Sequence, residues 1–111
     1  MEKIVEQGLL YDFYGPLLTE HQQEVYEAVV YDDMSLGEIA LEYGISRQGV
    51  HDLVKRCDKI LQGYESKLGL VQRFLERKKK LLNLKELLQE IEDKQYKQVL
   101  LEKVEDMIEE L

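Results

Sequence analysis

The sequence predicts an all-α protein, in which a helix-turn-helix domain is followed by a C-terminal helical extension. Its apolar residues recur with a period near 3.6, which is the period of a helix that buries one face. Four segments open with residues that cap helices, and the 111 residues include a single Pro. No run of residues alternates between apolar and polar with period two, so no strand is predicted.

The overall charge separates this chain from wholly basic nucleic-acid binders. It carries 23 Asp and Glu against 15 Lys and Arg, a formal charge of −8, and 44% of its residues are apolar. That apolar share is enough to bury a core, and the length suits one domain or a small domain with an extension. Because the net charge repels phosphates, any contact with nucleic acid is expected to be local.

Acidic charge is concentrated in the first part of the chain. Residues 1–66 hold five basic and 13 acidic side chains, whereas residues 67–111 hold ten of each. No Gly/Ser-rich linker separates the two parts, which indicates that helix joins them. We therefore predict a helix-turn-helix domain over 1–66 and, over 67–111, a C-terminal helical extension that serves as the dimerisation region.

Neither a membrane span nor a disulfide is predicted. The longest uninterrupted apolar stretch, from Ala28 to Tyr31, is far shorter than the ~20 residues of a membrane helix, and no signal-peptide core follows Met1. Cys57 is the only cysteine, so no internal disulfide can form. We therefore expect a cytoplasmic protein, since that compartment keeps thiols reduced, and no membrane insertion.

Two helices are predicted before the helix-turn-helix. The apolar residues of the first are Ile4, Leu9, Leu10 and Phe13. Gly15-Pro16 ends this helix, because Pro restricts the preceding residue and cannot donate a helical hydrogen bond. Thr19-x-x-Gln22 opens the second helix as a capping box, in which each side chain satisfies a backbone N–H. The predicted buried stripe of the second helix is Val25, Val29 and Val30.

Two further helices, joined by a short turn, make up the predicted helix-turn-helix. Ser35-x-x-Glu38 is a second capping box, and Gly44 ends the short helix that it opens. Ser46 then caps a longer helix. The apolar residues of the short helix are Leu36, Ile39, Ala40 and Tyr43, and those on the inner face of the longer one are Val50, Leu53, Val54, Cys57, Ile60 and Leu61. Two helices joined by a tight Gly-containing turn are typical of a helix-turn-helix.

The outer face of the longer helix carries the candidate nucleic-acid-binding residues. In a helix-turn-helix, the N-terminal half of the second helix enters the major groove. The predicted contacts to base edges or phosphates are Arg47, Gln48 and His51, and those along the backbone are Lys55, Arg56 and Lys59. A polar outer face also suits any three-helix domain in solvent, so both interpretations stay open.

The last third of the chain is predicted to associate with a second copy. Four consecutive cations, Arg77–Lys80, form a basic collar that suits either phosphate contact, in DNA or RNA, or a solvated helix face. Asn83-x-x-Glu86 predicts another cap, followed by a helix of about 28 residues with a homodimer seam. The residues of the seam, at spacings of three and four, are Leu84, Leu87, Leu88, Ile91, Leu100, Val104, Met107 and Leu111.

Three runs carry a resemblance: DFYG at 12–15, DDxSLxEIA at 32–40 and GISRQxV at 44–50. With them the chain resembles the YlxM family of small bacterial proteins over most of residues 9–68, and about residues 17–61 are similar to the promoter-reading C-terminal domain of bacterial sigma factors. The resemblance implies an all-helical DNA-binding regulator, encoded beside the gene for the signal recognition particle protein in Gram-positive bacteria, with a part in that targeting pathway. Gly49 departs from the pattern, since such proteins usually have Ala there.

Nothing in the sequence predicts catalysis, a metal or a cofactor. His51 and Cys57 lie about 240° apart around a helix, and no second Cys or matching His completes a ligand set. Cys57 is on the predicted inner face, where a thiol resists ionisation. No Gly-rich phosphate loop is present and no nucleophile stands beside a base, so we predict that the protein is not an enzyme.

Two functions remain open on the sequence alone. The leading interpretation is a cytoplasmic helix-turn-helix regulator, a homodimer through its C-terminal helices, that binds DNA or the transcription machinery through residues 47–59. The alternative is a protein- or RNA-interaction module of the signal recognition particle pathway, which contacts components of the particle and recognises no operator.

Overall fold

A computed structural model of the protein describes residues 2–111. Over these residues the chain forms six α-helices, one short 3₁₀ segment and no β-strand. The α-helices are α1 (Lys3–Tyr14), α2 (Glu20–Val30), α3 (Leu36–Tyr43), α4 (Arg47–Leu68), α5 (Leu70–Leu88) and α6 (Lys94–Glu109), and the 3₁₀ segment is Gly15–Leu17. The predicted all-α class is confirmed.

The helix ends of the helix-turn-helix follow the predicted cap chemistry. Both capping boxes form, at Thr19 before α2 and at Ser35 before α3. Gly44 adopts the left-handed conformation, with φ 68°, which a residue without Cβ reaches at no steric cost. Ser46 Oγ accepts the Gly49 N–H at 2.9 Å and so caps α4. The turn between α3 and α4 is therefore fixed at both ends by local hydrogen bonds.

The core of the helix-turn-helix lies between α4 and the three helices before it. Its buried residues are Val25, Ala28, Ile39 and Val50, with Val29, Met34, Ala40, Tyr43, Ile45, Leu53 and Val54 packed against them. Farther along α4, Cys57 and Leu61 are fully buried against the rest of the domain. The predicted inner face of α4 is confirmed, and its opposite face is left to solvent.

Tyrosines join the predicted Leu10, which is buried, in bringing α1 into this core. Ile4 is 47% exposed, whereas Tyr14 and Tyr26 are almost fully buried. The Tyr11 and Tyr26 rings stack with their centroids 5.5 Å apart. A buried phenol needs a hydrogen-bond acceptor, and each of these three has a carboxylate within reach. The Tyr11 hydroxyl donates to Glu27 at 2.6 Å and the Tyr14 hydroxyl to Glu65 at 2.5 Å. The Tyr26 hydroxyl donates to Asp58 at 2.6 Å.

The chain divides into two compact units, the first ending at Val71 and the second comprising Gln72–Leu111. This division lies beyond the predicted boundary after residue 66, which falls within the last turn of α4. Residues 67–71 stay with the first unit because Leu70 N–H donates to the Tyr14 hydroxyl at 3.1 Å and Val71 N–H to Glu65 at 3.0 Å. These bonds satisfy two N–H groups that the first turn of a helix leaves without helical partners.

The prediction of a cap at Asn83 and one helix over 84–111 is wrong. Helix α5 continues through Asn83 to Leu88, and the next cap is Asp93, whose side chain accepts the N–H groups of Gln95 and Tyr96. Lys85 Nζ lies 3.6 Å from Glu105 Oε1. In a single helix these residues would be about 30 Å apart, so the chain must turn between them. Asp93 accepts two N–H groups and so begins α6. Asn83 lies in the middle of α5, between two leucines.

Candidate nucleic-acid interface

The candidate interface is the outer face of α4, opposite the buried Val50. The two local caps at Gly44 and Ser46 set where α4 begins, and its apolar face against α2 and α3 sets its rotation. All six predicted side chains are exposed: Arg47, Gln48, His51, Lys55, Arg56 and Lys59. Each of the six is therefore accessible at the surface of the first unit.

Arg47 differs from the other five because its guanidinium lies back over α3. A Cβ added at Gly37 would stand 2.9 Å from Arg47 Nη2 and 3.2 Å from Nε. The missing side chain of Gly37 thus makes room for the guanidinium at the first turn of α3. The N-terminus of that helix favours anions, and an arginine beside it extends the same preference. Arg47 therefore lies at the edge of the α4 face, beside the first turn of α3.

Asp52 lies on the same outer face, as its angle around the helix predicts, but it is not among the six predicted binding residues. Gln48 Nε2 donates to Asp52 Oδ1 at 2.9 Å, and His51 Nδ1 lies 3.8 Å from the same oxygen. The signal was present in the sequence, since Gln and Asp four residues apart on a helix form such a bond. Three of the polar side chains therefore act as one group at the start of α4.

The electrostatics of the first unit are strongly one-sided. Residues 1–46 contain one basic and ten acidic side chains, whereas residues 47–68 contain five basic and three acidic ones. Two of those three, Asp58 and Glu65, accept tyrosine hydroxyls from the core. Positive charge in this unit is thus concentrated on α4, which makes it the surface best suited to a polyanion.

The basic collar of α5 is a second exposed set of cations. Arg77, Lys78, Lys79 and Lys80 all face solvent. Lys78 Nζ lies 5.9 Å from the centroid of the Phe74 ring, within the range of a cation–π contact. This collar belongs to the second unit, whereas α4 belongs to the first.

The single cysteine, Cys57, lies in the core of the first unit. Cys57 is fully buried, and burial raises the pKa of its thiol to about 11, which keeps it protonated at neutral pH. Within residues 2–111 no three His, Cys, Asp or Glu side chains converge as a metal-ligand group. Over the same residues, no helix is both long and apolar enough to traverse a lipid bilayer.

The sequence of the chain matches a known protein family. A model described as "UPF0122: Putative helix-turn-helix protein, YlxM / p13 like" matches residues 1–108. The chain belongs to the UPF0122 family. This confirms the YlxM resemblance that the three sequence runs indicate. The UPF0122 description names a helix-turn-helix and no reaction.

Relatives with the name UPF0122 protein cover nearly the whole chain. One from Clostridium botulinum (strain Alaska E43 / Type E3) is 48% identical over 99 residues, which is 86% of this chain and 91% of the relative. One from Bacillus mycoides (strain KBAB4) is 46% identical over 92 residues, covering 83% and 84%. A third, from Bacillus velezensis (strain DSM 23117 / BGSC 10A6 / LMG 26770 / FZB42), is 41% identical over 107 residues, covering 96% and 97%.

Proposed function

We propose that this UPF0122 protein is a cytoplasmic DNA-binding regulatory protein, not an enzyme, that inserts the start of α4 into the major groove. The observation that carries the proposal is the positive charge of α4, which holds five of the six basic residues of the first unit, four of them among the predicted contacts. A helix-turn-helix presents this face to the groove, where side chains reach base edges.

The proposed contacts are of two kinds, those to base edges and those to phosphates. Gln48 and His51 lie at the start of α4 and point outward, so they are assigned to base edges. Arg47, held beside the N-terminus of α3, is assigned to a phosphate. Lys55, Arg56 and Lys59 follow on the exposed side of α4 and anchor the phosphate backbone.

The proposed DNA-binding form is a homodimer through the second unit. Within Gln72–Leu111, all of which the structure describes, the buried apolar side chains are Leu88 and Val104. Leu87 and Tyr96 are 69% and 68% exposed. A unit of about 40 residues rarely buries enough apolar area to be stable alone, and a second copy would cover these side chains. Two copies would also present two α4 helices to a two-fold site.

The proposal is tested with Arg47→Ala and Lys55→Ala in the full chain. Sites are first selected from duplex DNA with a randomised core, and affinity is then measured by fluorescence anisotropy over a range of salt concentrations. We expect each variant to weaken the complex about equally for all sequences and to make its salt dependence shallower, because both side chains are assigned to phosphates. Lys67→Ala, in the last turn of α4, is the matched control. Failure of the unaltered protein to select any sequence would overturn the proposal.

A second candidate is favoured by the basic collar and the charge of −8. Under it the protein is an interaction module of the signal recognition particle pathway, and Arg77–Lys80 contact the RNA of the particle. Four exposed cations outside α4 support this assignment, because an RNA helix is bound largely through its backbone. Under this candidate the unaltered protein binds that RNA and selects no duplex DNA sequence, and changing the four cations to Gln should abolish RNA binding. RNA binding that survives the change would reject this candidate.

A further inference from the structure

We propose that Asp52 is a specificity-determining residue of α4, because its carboxylate orients Gln48 and repels phosphate from the centre of the outer face. The proposal rests on the DNA-binding function above and deepens it. The ligand that suits this face is a base edge with an exposed amino group.

The first step is the hydrogen bond between the two side chains. Gln48 Nε2 donates to Asp52 Oδ1 at 2.9 Å. An ionised carboxylate can only accept, so the amide must turn its nitrogen toward Asp52 and its Oε1 away. The Gln48 side chain is thereby held in one orientation along the helix before DNA arrives. A side chain ordered in advance loses less conformational freedom on binding and discriminates more sharply between partners.

The second step is the position of the charge. Asp52 is the carboxylate on α4 that accepts from another side chain of the outer face, whereas Asp58 and Glu65 accept tyrosine hydroxyls from the core. Its side chain is 59% exposed. A negative charge between Gln48 and Lys55 repels phosphate oxygens and the acceptor atoms of guanine. It therefore lowers affinity for arbitrary duplex DNA.

The third step is what such a charge favours. Cytosine N4 and adenine N6 are the amino groups that the major groove presents, and a carboxylate accepts from either. The Gln48 amide retains an acceptor oxygen and one N–H, the pair of groups that recognises adenine. We therefore expect a selected site to contain cytosine or adenine opposite Asp52 and Gln48.

The test compares the unaltered full chain with Asp52→Asn. Both are used to select sites from duplex DNA with a randomised core, and their affinities for one arbitrary duplex are measured at the same salt concentration. We expect Asp52→Asn to bind the arbitrary duplex several-fold more tightly and to lose about 5-fold or more of its base preference at the positions near Gln48. If Asp52 had a purely structural role, Asp52→Asn would lower both the affinity for the arbitrary duplex and the base preference. A rise in that affinity together with a fall in base preference therefore identifies a specificity residue.

Glu24→Gln supplies the matched control, since Glu24 is an exposed carboxylate of α2 and the change removes the same charge. We expect it to leave base preference unchanged. Asp52→Ala should repeat both effects of Asp52→Asn, and thermal melting checks that each variant is folded. If the unaltered protein selects a site and Asp52→Asn selects the same site with equal preference, this inference alone fails. If the unaltered protein selects no site, the DNA-binding function fails with it.

Discussion

The hydroxyl of Tyr14 donates to Glu65 Oε1 at 2.5 Å and accepts the backbone N–H of Leu70 at 3.1 Å. Tyr14 closes α1, Glu65 lies near the end of α4, and Leu70 begins α5, so one buried phenol joins three helices. Glu65 also accepts the Val71 N–H at 3.0 Å. The start of α5 is therefore capped by two side chains, one of which, Tyr14, is 56 residues away from the Leu70 N–H that it accepts.

This relationship predicts a large effect for the removal of one oxygen. Tyr14→Phe should lower the free energy of unfolding by about 1–3 kcal/mol, because it withdraws a hydrogen bond from a carboxylate at a buried position. Tyr31→Phe is the control, since Tyr31 is 50% exposed and its hydroxyl bonds to the exposed Asp12. Urea denaturation measures both. An equal loss in the two variants would show that burial of the Tyr14 bond adds nothing.

The buried thiol predicts a loss of stability in alkali. Burial raises the pKa of Cys57 from 9.0 to about 11, with the Asp58 carboxylate acting in the same direction. Above pH 9 the unfolded chain loses this proton while the folded chain keeps it, so unfolding releases protons and stability falls as pH rises toward about 11. Below pH 9 both states hold the proton and Cys57 has no effect. The raised pKa values of Tyr11 and Tyr26 act with the same sign at higher pH.

Cys57→Ala separates the thiol from the tyrosines. Its free energy of unfolding, measured in urea at a series of pH values, should fall less steeply than that of the unaltered protein between pH 9 and 11. In the folded protein the thiol should also react slowly with a disulfide reagent at neutral pH, and readily in urea. Fast reaction without urea would contradict the burial of this side chain.

Two glycines of α4 predict different gains on substitution by Ala. A Cβ at Gly63 meets no atom within 4 Å, so Gly63→Ala should stabilise the protein by about 0.5–1 kcal/mol through helix propensity. At Gly49 the same atom would lie 3.1 Å from Ser46 Oγ, which caps the helix by accepting the Gly49 N–H. Gly49→Ala should therefore gain less than Gly63→Ala in thermal melting. A larger gain at Gly49 would mean that Ser46 moves freely.

The parts of the fold that were predictable from the sequence depend on near neighbours. The capping boxes at Thr19 and Ser35 involve residues three apart, and the buried face of α4 follows from a single period. The tyrosine bonds were not predictable, because Tyr14 and Glu65 are 51 residues apart and no local spacing connects them. The turn before Asp93 was missed because Asn83-x-x-Glu86 has the same cap pattern in a stretch that stays helical.

In the candidate interface, too, features set by near neighbours were predictable and contacts between helices were not. Exposure of Gln48, His51, Lys55 and Lys59 follows from their angle around α4. The contact of Arg47 with Gly37 crosses the turn between two helices, and only the packed structure reveals it. The bond between Gln48 and Asp52 lies within one helix, so its spacing was readable in advance.

The exposed side chains of the second unit predict how the dimer can be broken. Leu87 is 69% exposed, so Leu87→Lys removes little packing within one chain and places a charge on the proposed contact surface. We expect the unaltered protein to sediment as a dimer at tens of micromolar and this variant as a monomer. Leu41→Lys is the control, because Leu41 of α3 is 87% exposed but lies in the first unit. A monomeric unaltered protein would reject self-association, and a monomer produced by Leu41→Lys alone would move the contact from the second unit to the helix-turn-helix.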